Sequence, residues 1–331
     1  MKKLSVLLVM CLGLFSCGKQ DNIASKEGFL SSDIVALKGA NWPLGYTIPV
    51  TIIDDSIRLS GFAHSKRTTV AELVEEVKES MNTWSKFANI NFEYYSSPDD
   101  IPEELSVRPH VRITFLESKG NWAYVGPTYI NKKIPFNMSL EGIGNTSFTR
   151  KATMVHEFGH ILGLAHEHQH PDRIVSDDEI KANCKRIGFN EVGCESQMLK
   201  THSSETAVIL PYVANSIMHY EIESSAGTEG VVGGSGFFTQ GDAVAVTHLY
   251  PGRFESTEQF EKTYENALAD SIDEFNEAVQ TKNCFIAKPS YCPKDAPFQI
   301  ALKMNGTPLM KSCVKSIRLS INSMNSWKFC H

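Results

Sequence analysis

Near its start the chain carries two lysines, Lys2 and Lys3, followed by an apolar run from Leu4 to Phe15. A run of about 12 residues is too short to span a bilayer as a mature helix and reads as a secretory signal. No later segment approaches the roughly 18 apolar residues of a membrane span. Gly18 to about Gly39 is polar and without period, and reads as a tether or short pro-segment. Periodic patterns begin near Trp42. Tyr46 to Ile53 is rich in β-branched residues and predicts a strand. Val70, Leu73, Val74, Val77, Met81, Trp84 and Phe87 recur at helical spacing. Val111 to Leu116 alternates as a strand does, and Pro135 to Leu140 predicts another short one. Arg150 to Leu164 reads as helical up to Gly163. Ser176 with Glu179 forms a capping box for a helix running towards Ile187. Thr239 to Tyr250 predicts one more helix, stopped by Pro251-Gly252.

That Pro-Gly pair marks a boundary. Beyond it Phe260, Tyr264, Leu268, Ile272, Phe275 and Val279 form one apolar stripe on an acidic helix. The stripe must pack on the preceding domain or on the cysteine-bearing tail. The expected organisation is a signal over 1–17, a tether over 18–40, a main domain over 41–251 and a helix with a disulfide-containing tail over 252–331.

The net charge of the 331-residue chain is −6, which leaves no cationic surplus for nucleic acid. Export changes the meaning of the eight cysteines. Leu14-Phe15-Ser16-Cys17 resembles the end of a bacterial lipoprotein signal, which would make Cys17 the lipidated first residue of the mature chain. The alternative is a plain cleaved signal with Cys17 as a spare thiol. After the signal, Cys184, Cys194, Cys284, Cys292, Cys313 and Cys330 remain, an even set that reads as disulfides. Cys184 and Cys194 are expected to pair. The last four admit three pairings. A zinc site among those four is the competing idea, but they lack a C-x2-C knuckle.

The chemistry is concentrated in residues 156–166, which read His156-Glu157-Phe158-Gly159-His160-Ile161-Leu162-Gly163-Leu164-Ala165-His166. His156 and His160 are four apart, so a helix points both imidazoles the same way. Two neutral ring nitrogens can then hold one metal ion. Glu157 can reach a water at the metal without binding the metal itself. Gly163 allows the backbone conformation that ends the helix, and the turn brings in His166 as a third ligand. Three protein ligands leave a position open, the mark of a catalytic rather than a structural zinc site. The alternative is a helix with satisfied surface histidines. His168 and His170 extend the cluster without ligand spacing and read as supporting or surface residues.

Downstream stands Ser216-Ile217-Met218-His219-Tyr220, which resembles the Met-turn of the metzincin metallopeptidases. The longer stretch from Pro211 to Tyr220 resembles the astacin family in particular. So do Glu167 directly after the third histidine and the continuation His170-Pro171-Asp172-Arg173, although His170 stands where an arginine is usual. Trp42-Pro43 with Ile48-Pro49 resembles the start of a mature astacin domain, and Asp242 to Tyr250 its final helix. The likeness spans about residues 41–251. It implies an α+β catalytic domain with a small twisted sheet, a long active-site helix and a Met-turn, followed here by the helical and cysteine-containing region.

The resemblance also implies roles. One catalytic Zn2+ would be held by His156, His160 and His166. Met218 would form an apolar floor beneath it. Tyr220 would be a reversible further metal ligand whose hydroxyl stabilises the oxyanion; the alternative reading is a core aromatic with a satisfied hydroxyl. Phe136 to Leu140 resembles the edge strand that pairs with an extended substrate, against the alternative of an ordinary short strand. Some family features are missing. No cysteine lies between residues 41 and 183, and the aspartate-bearing latency motif of the pro-segment is absent.

The expected activity is zinc-dependent endopeptidase hydrolysis of protein or peptide substrates, with Glu157 as general base and acid and Tyr220 as catalytic partner. A serralysin-like metzincin is disfavoured by Glu167 and by the lack of glycine-rich calcium repeats. A reading from another class is a surface binding or adhesion protein in which the C-terminal region binds a ligand and the zinc domain is its carrier. Glu167 would meet a new N-terminus after pro-segment removal, and Lys38-Gly39 is the expected cut. Arg173 and Arg186 are candidate basic specificity residues. The protein is expected to be exported, a monomer, and in contact with a membrane only through a lipid on Cys17.

Overall fold

The amphipathic stretch that starts at Val70 folds as anticipated into a helix, α2 (Val70–Ser85), opened by a capping box between Thr69 and Glu72. Its apolar side, with Leu73, Val77, Met81 and Trp84, enters the main core. In this computed structural model the described residues are 34–280 apart from 107–108, 119, 128–133 and 229–230. The signal, most of the tether and the last four cysteines lie outside them.

A five-stranded sheet stands in the order β3 (Asn91–Tyr95), β2 (Thr47–Ile52), β4 (Val111–Thr114), β6 (Met138–Leu140), β5 (Asn121–Ala123). The first four run parallel, and β5 is antiparallel to β6. All of β4 is buried, so the expected alternation is not realised. The strand lies between β2 and β6 with both faces covered. Against the sheet pack α2 and the central helix α4 (Ser147–Ile161), and α1 (Ser56–Ser65) packs on α2; the short α3 (Glu103–Ser106) stands between β3 and β4 in the chain. The Trp84 indole donates to the Val155 carbonyl at 2.8 Å, joining α2 to α4.

Beyond α4 lies a second, strand-poor half. It contains α5 (Asp177–Ile187), α6 (Glu191–Cys194), β7 (Ala207–Ile209), the hairpin β8 (Ile222–Thr228) with β9 (Val231–Val232), and α7 (Gln240–Leu249). The Ser176–Glu179 capping box opens α5 as read from the sequence. The expected Cys184–Cys194 disulfide is formed.

One boundary differs from the sequence reading. The segment read as a tether up to residue 40 already contains a strand, β1 (Val35–Leu37), paired antiparallel with β7. Ile34, Val35 and Ala36 are fully buried, which a solvated tether would not be. The acidic helix α8 (Thr257–Gln280) packs on the preceding domain. Phe260 and Phe254 pack their rings against Phe87, and Glu274 pairs with Lys151 of α4 at 2.7 Å.

Candidate metal centre

The central helix begins at a capping box made by Thr146 and Thr149. Its far end is closed by Gly163 at φ +94°. There Leu164 N donates to Gly159 O at 3.1 Å and Gly163 N to His160 O at 2.8 Å, a left-handed glycine cap. The helix's last carbonyls find partners from distant chain: the Trp42 indole on Ile161 O at 2.7 Å and the Tyr250 hydroxyl on Leu162 O at 2.7 Å. The end of α4 is therefore fixed, and with it the direction in which the chain leaves towards His166.

His156, His160 and His166 come together, with one ring nitrogen of each within 4.8 Å of the others. His156 Nδ1 lies 2.7 Å from Ile217 O, and His160 Nδ1 2.8 Å from Leu164 O. A carbonyl only accepts, so both Nδ1 atoms carry the proton and both Nε2 atoms present lone pairs. His160 Nε2 faces His166 Nε2 at 3.1 Å. Burial pushes the pKa of all three rings down, that of His160 to about 3, so they are neutral at ordinary pH. Converging neutral lone pairs in a buried place are the donor set of a borderline-soft cation, and zinc fits it.

Beside the ligands stands Glu157, 4% exposed, with one buried carboxylate oxygen that finds no hydrogen-bond partner among the described residues. Burial raises its pKa to about 8. The Tyr220 ring packs on His166 and His156, with centroids 4.2 and 5.9 Å away. Burial, with Glu157 nearby, raises its hydroxyl pKa, so Tyr220 keeps its proton.

Met218 is fully buried and its main-chain oxygen accepts from Glu167 N at 3.0 Å. A Cβ on Gly159 would strike the Met218 and Trp84 side chains, so only glycine lets the Met-turn lie this close to α4. The turn is held by Asp242 at the start of α7, which accepts from Ser216 Oγ at 2.6 Å and Ile217 N at 3.1 Å.

The model of the peptidase family Astacin matches residues 62–232, about half of the chain. The chain belongs to the astacin family. Two similar curated proteins are the sea-urchin Protein SpAN of Strongylocentrotus purpuratus, 28% identical over 174 residues, and Blastula protease 10 of Paracentrotus lividus, 27% identical over 172. Each alignment takes in 52% of this chain but only 23% and 24% of those relatives. The solved structure of myroilysin is similar at 25% identity and a TM-score of 0.51, covering 66% of this chain and 98% of that one. Astacin membership and the His156–His160–His166 donor set together make the cofactor zinc.

Several neighbours differ from the sequence reading. His168 and His170 are fully buried, which excludes the surface reading of either. His168 stacks on Tyr220 at 4.8 Å, and His170 Nε2 donates to Leu210 O at 2.6 Å. Arg173 spends its guanidinium on His168 O, Leu199 O and Asp177, which removes it as a free specificity cation. Arg186 is partly exposed and turned to Asn183 and Glu223. The strand ending at Leu140 is not the sheet edge, because β6 has β4 on one side and β5 on the other. The edge is β5. His219, quoted within the Met-turn but given no role there, donates from Nδ1 to Tyr220 O at 2.5 Å while Nε2 accepts from the Tyr212 hydroxyl at 2.7 Å. No local spacing marks that bond.

Proposed function

We propose that this astacin-family chain is a zinc-dependent endopeptidase acting on extended protein or peptide substrates. The observation that carries the reading is the buried, partnerless oxygen of Glu157 beside three converging neutral histidines. Bound zinc supplies Lewis acidity for the attack of water on the scissile carbonyl. Glu157 holds the proton taken from that water and delivers it to the leaving amine. Tyr220, kept protonated by burial, donates its hydroxyl to the developing oxyanion. His156 and His160 keep their Nε2 lone pairs on the ion through the Ile217 and Leu164 carbonyls.

The substrate backbone would add to β5. Tyr124 N donates to Asn137 O at 3.1 Å, and the antiparallel pattern then sends the N–H and C=O of Ala123 away from β6. An extended peptide can take those groups as a further strand. The same chain continues to Gly126, whose N–H bonds His160 O at 2.8 Å, so the edge leads directly to the metal. The exported setting, and a lipid on Cys17 as the membrane link of a monomer, belong to the same proposal. The binding-protein alternative gains no support from α8, whose Phe260, Tyr264 and Ala267 pack on the core of the catalytic domain.

Chelation gives the test. Removal of zinc should abolish casein cleavage, and about one equivalent of zinc should restore it. Cleavage that survives complete zinc removal would overturn the proposal.

A further inference from the structure

Strand β1 lies between two partners. On one side it pairs with β7, with Lys38 N donating to Thr206 O at 3.0 Å and Leu210 N to Ile34 O at 3.2 Å. On the other side it meets the turn that follows α4. Leu37 N donates to Gly163 O at 3.0 Å, Ala165 N donates to Val35 O at 2.8 Å, and Ala36 sits opposite Leu164. Gly163, Leu164 and Ala165 are the residues just before His166. Leu164 also supplies the carbonyl that orients His160. One short strand therefore sits behind two of the three ligands. Val35 is fully buried in a small cluster with Ala165 and Ala207, so side chains as well as backbone join strand to turn.

We propose that β1 is a positioning strand for the zinc site. It holds the Leu164 carbonyl against His160 and sets the path on which His166 reaches the ion. The zinc-loaded chain then needs residues 34–37 in place. A break between Lys38 and Gly39 that let β1 leave would disarm the site rather than activate it, and any maturation cut that yields active enzyme falls before Ile34. The inference rests on the ligand set of the proposed function.

The N–H of Leu37 points away from β7: it donates to Gly163 O, while Ile34 and Lys38, of the opposite parity along the strand, bond towards β7. Leu37→Pro in the full chain thus removes the bond to Gly163 selectively. We expect it to raise the zinc dissociation constant about 10- to 100-fold, the usual cost of losing a group that orients metal ligands. We also expect it to change the visible spectrum of the cobalt-substituted protein, while Leu37→Ala, which trims the side chain but keeps the N–H, changes both measurements less than Leu37→Pro does. Equal zinc affinity and an unchanged cobalt spectrum in Leu37→Pro would overturn the inference. If that variant does not fold, hydrogen exchange on the native chain decides. Zinc should slow exchange of the Leu37 and Ala165 amides, since coupling between strand and ion is reciprocal; no slowing would refute it. A parent chain that binds no zinc would instead sink the ligand assignment itself.

Discussion

Glu76 and Arg150 are 5% and 4% exposed and face each other through two bonds, Nε to Oε2 at 2.7 Å and the second nitrogen to Oε1 at 2.5 Å. Arg150 also donates to Lys66 O and Asn145 O, so one side chain ties α2, α4 and the end of α1 together. Removing one partner leaves a buried charge alone. Glu76→Ala should destabilise the domain by about 3–5 kcal/mol, whereas the paired change Glu76→Leu with Arg150→Met should cost much less. Urea unfolding of the three proteins checks this, and equal losses would contradict it. In the site, Tyr220→Phe should lower kcat by about 10^2-fold or more with little change in KM, because the lost hydroxyl acts on the oxyanion and not on bound substrate. Steady-state rates on one peptide separate the two parameters.

At the scale of elements, the helices with strong periodicity were legible and the short strands were not. α5 begins at the capping residue read from the sequence, Ser176, and α2 and α7 begin at Thr69 and Thr239, whose capping role the structure adds. The α1 stretch carries no clean stripe, and its Ile57 is 84% exposed. β1 is three residues long, and its identity comes from β7 and the Gly163 turn, far away in sequence. The metal ligands were legible because a helix sets their spacing locally. Their supports were not, since Ile217 lies 61 residues from His156 and Asp242 lies 26 from Ser216. Glu179 gives an element-scale prediction. Its carboxylate accepts from Ser176 N, Ser176 Oγ and Ser225 N, bonds that cap α5 and reach β8 and lower its pKa to about 2. The folded value lies below the unfolded one, so its stabilisation is complete above about pH 4.5 and is lost as pH falls towards 2. Glu179→Gln should lower the melting temperature at pH 6, and the gap to the parent should narrow by pH 3. A gap independent of pH would contradict the capping account.

The whole molecule is two halves joined along α4. The sheet, α1 and α2 support the helix from one side, and the Met-turn, held by Asp242, closes on its ligands from the other. The α8 helix extends the first half and braces α4 from behind through Lys151, Glu79 and Glu274. Glu157 sits where the halves meet, and the account stands on it. The most direct measurement is casein hydrolysis by the purified chain beside its Glu157→Ala variant, with zinc content determined on both. The account predicts about one zinc in each and a rate lower by about 10^3-fold or more in the variant. A variant that binds zinc and cleaves at nearly the parental rate would contradict it.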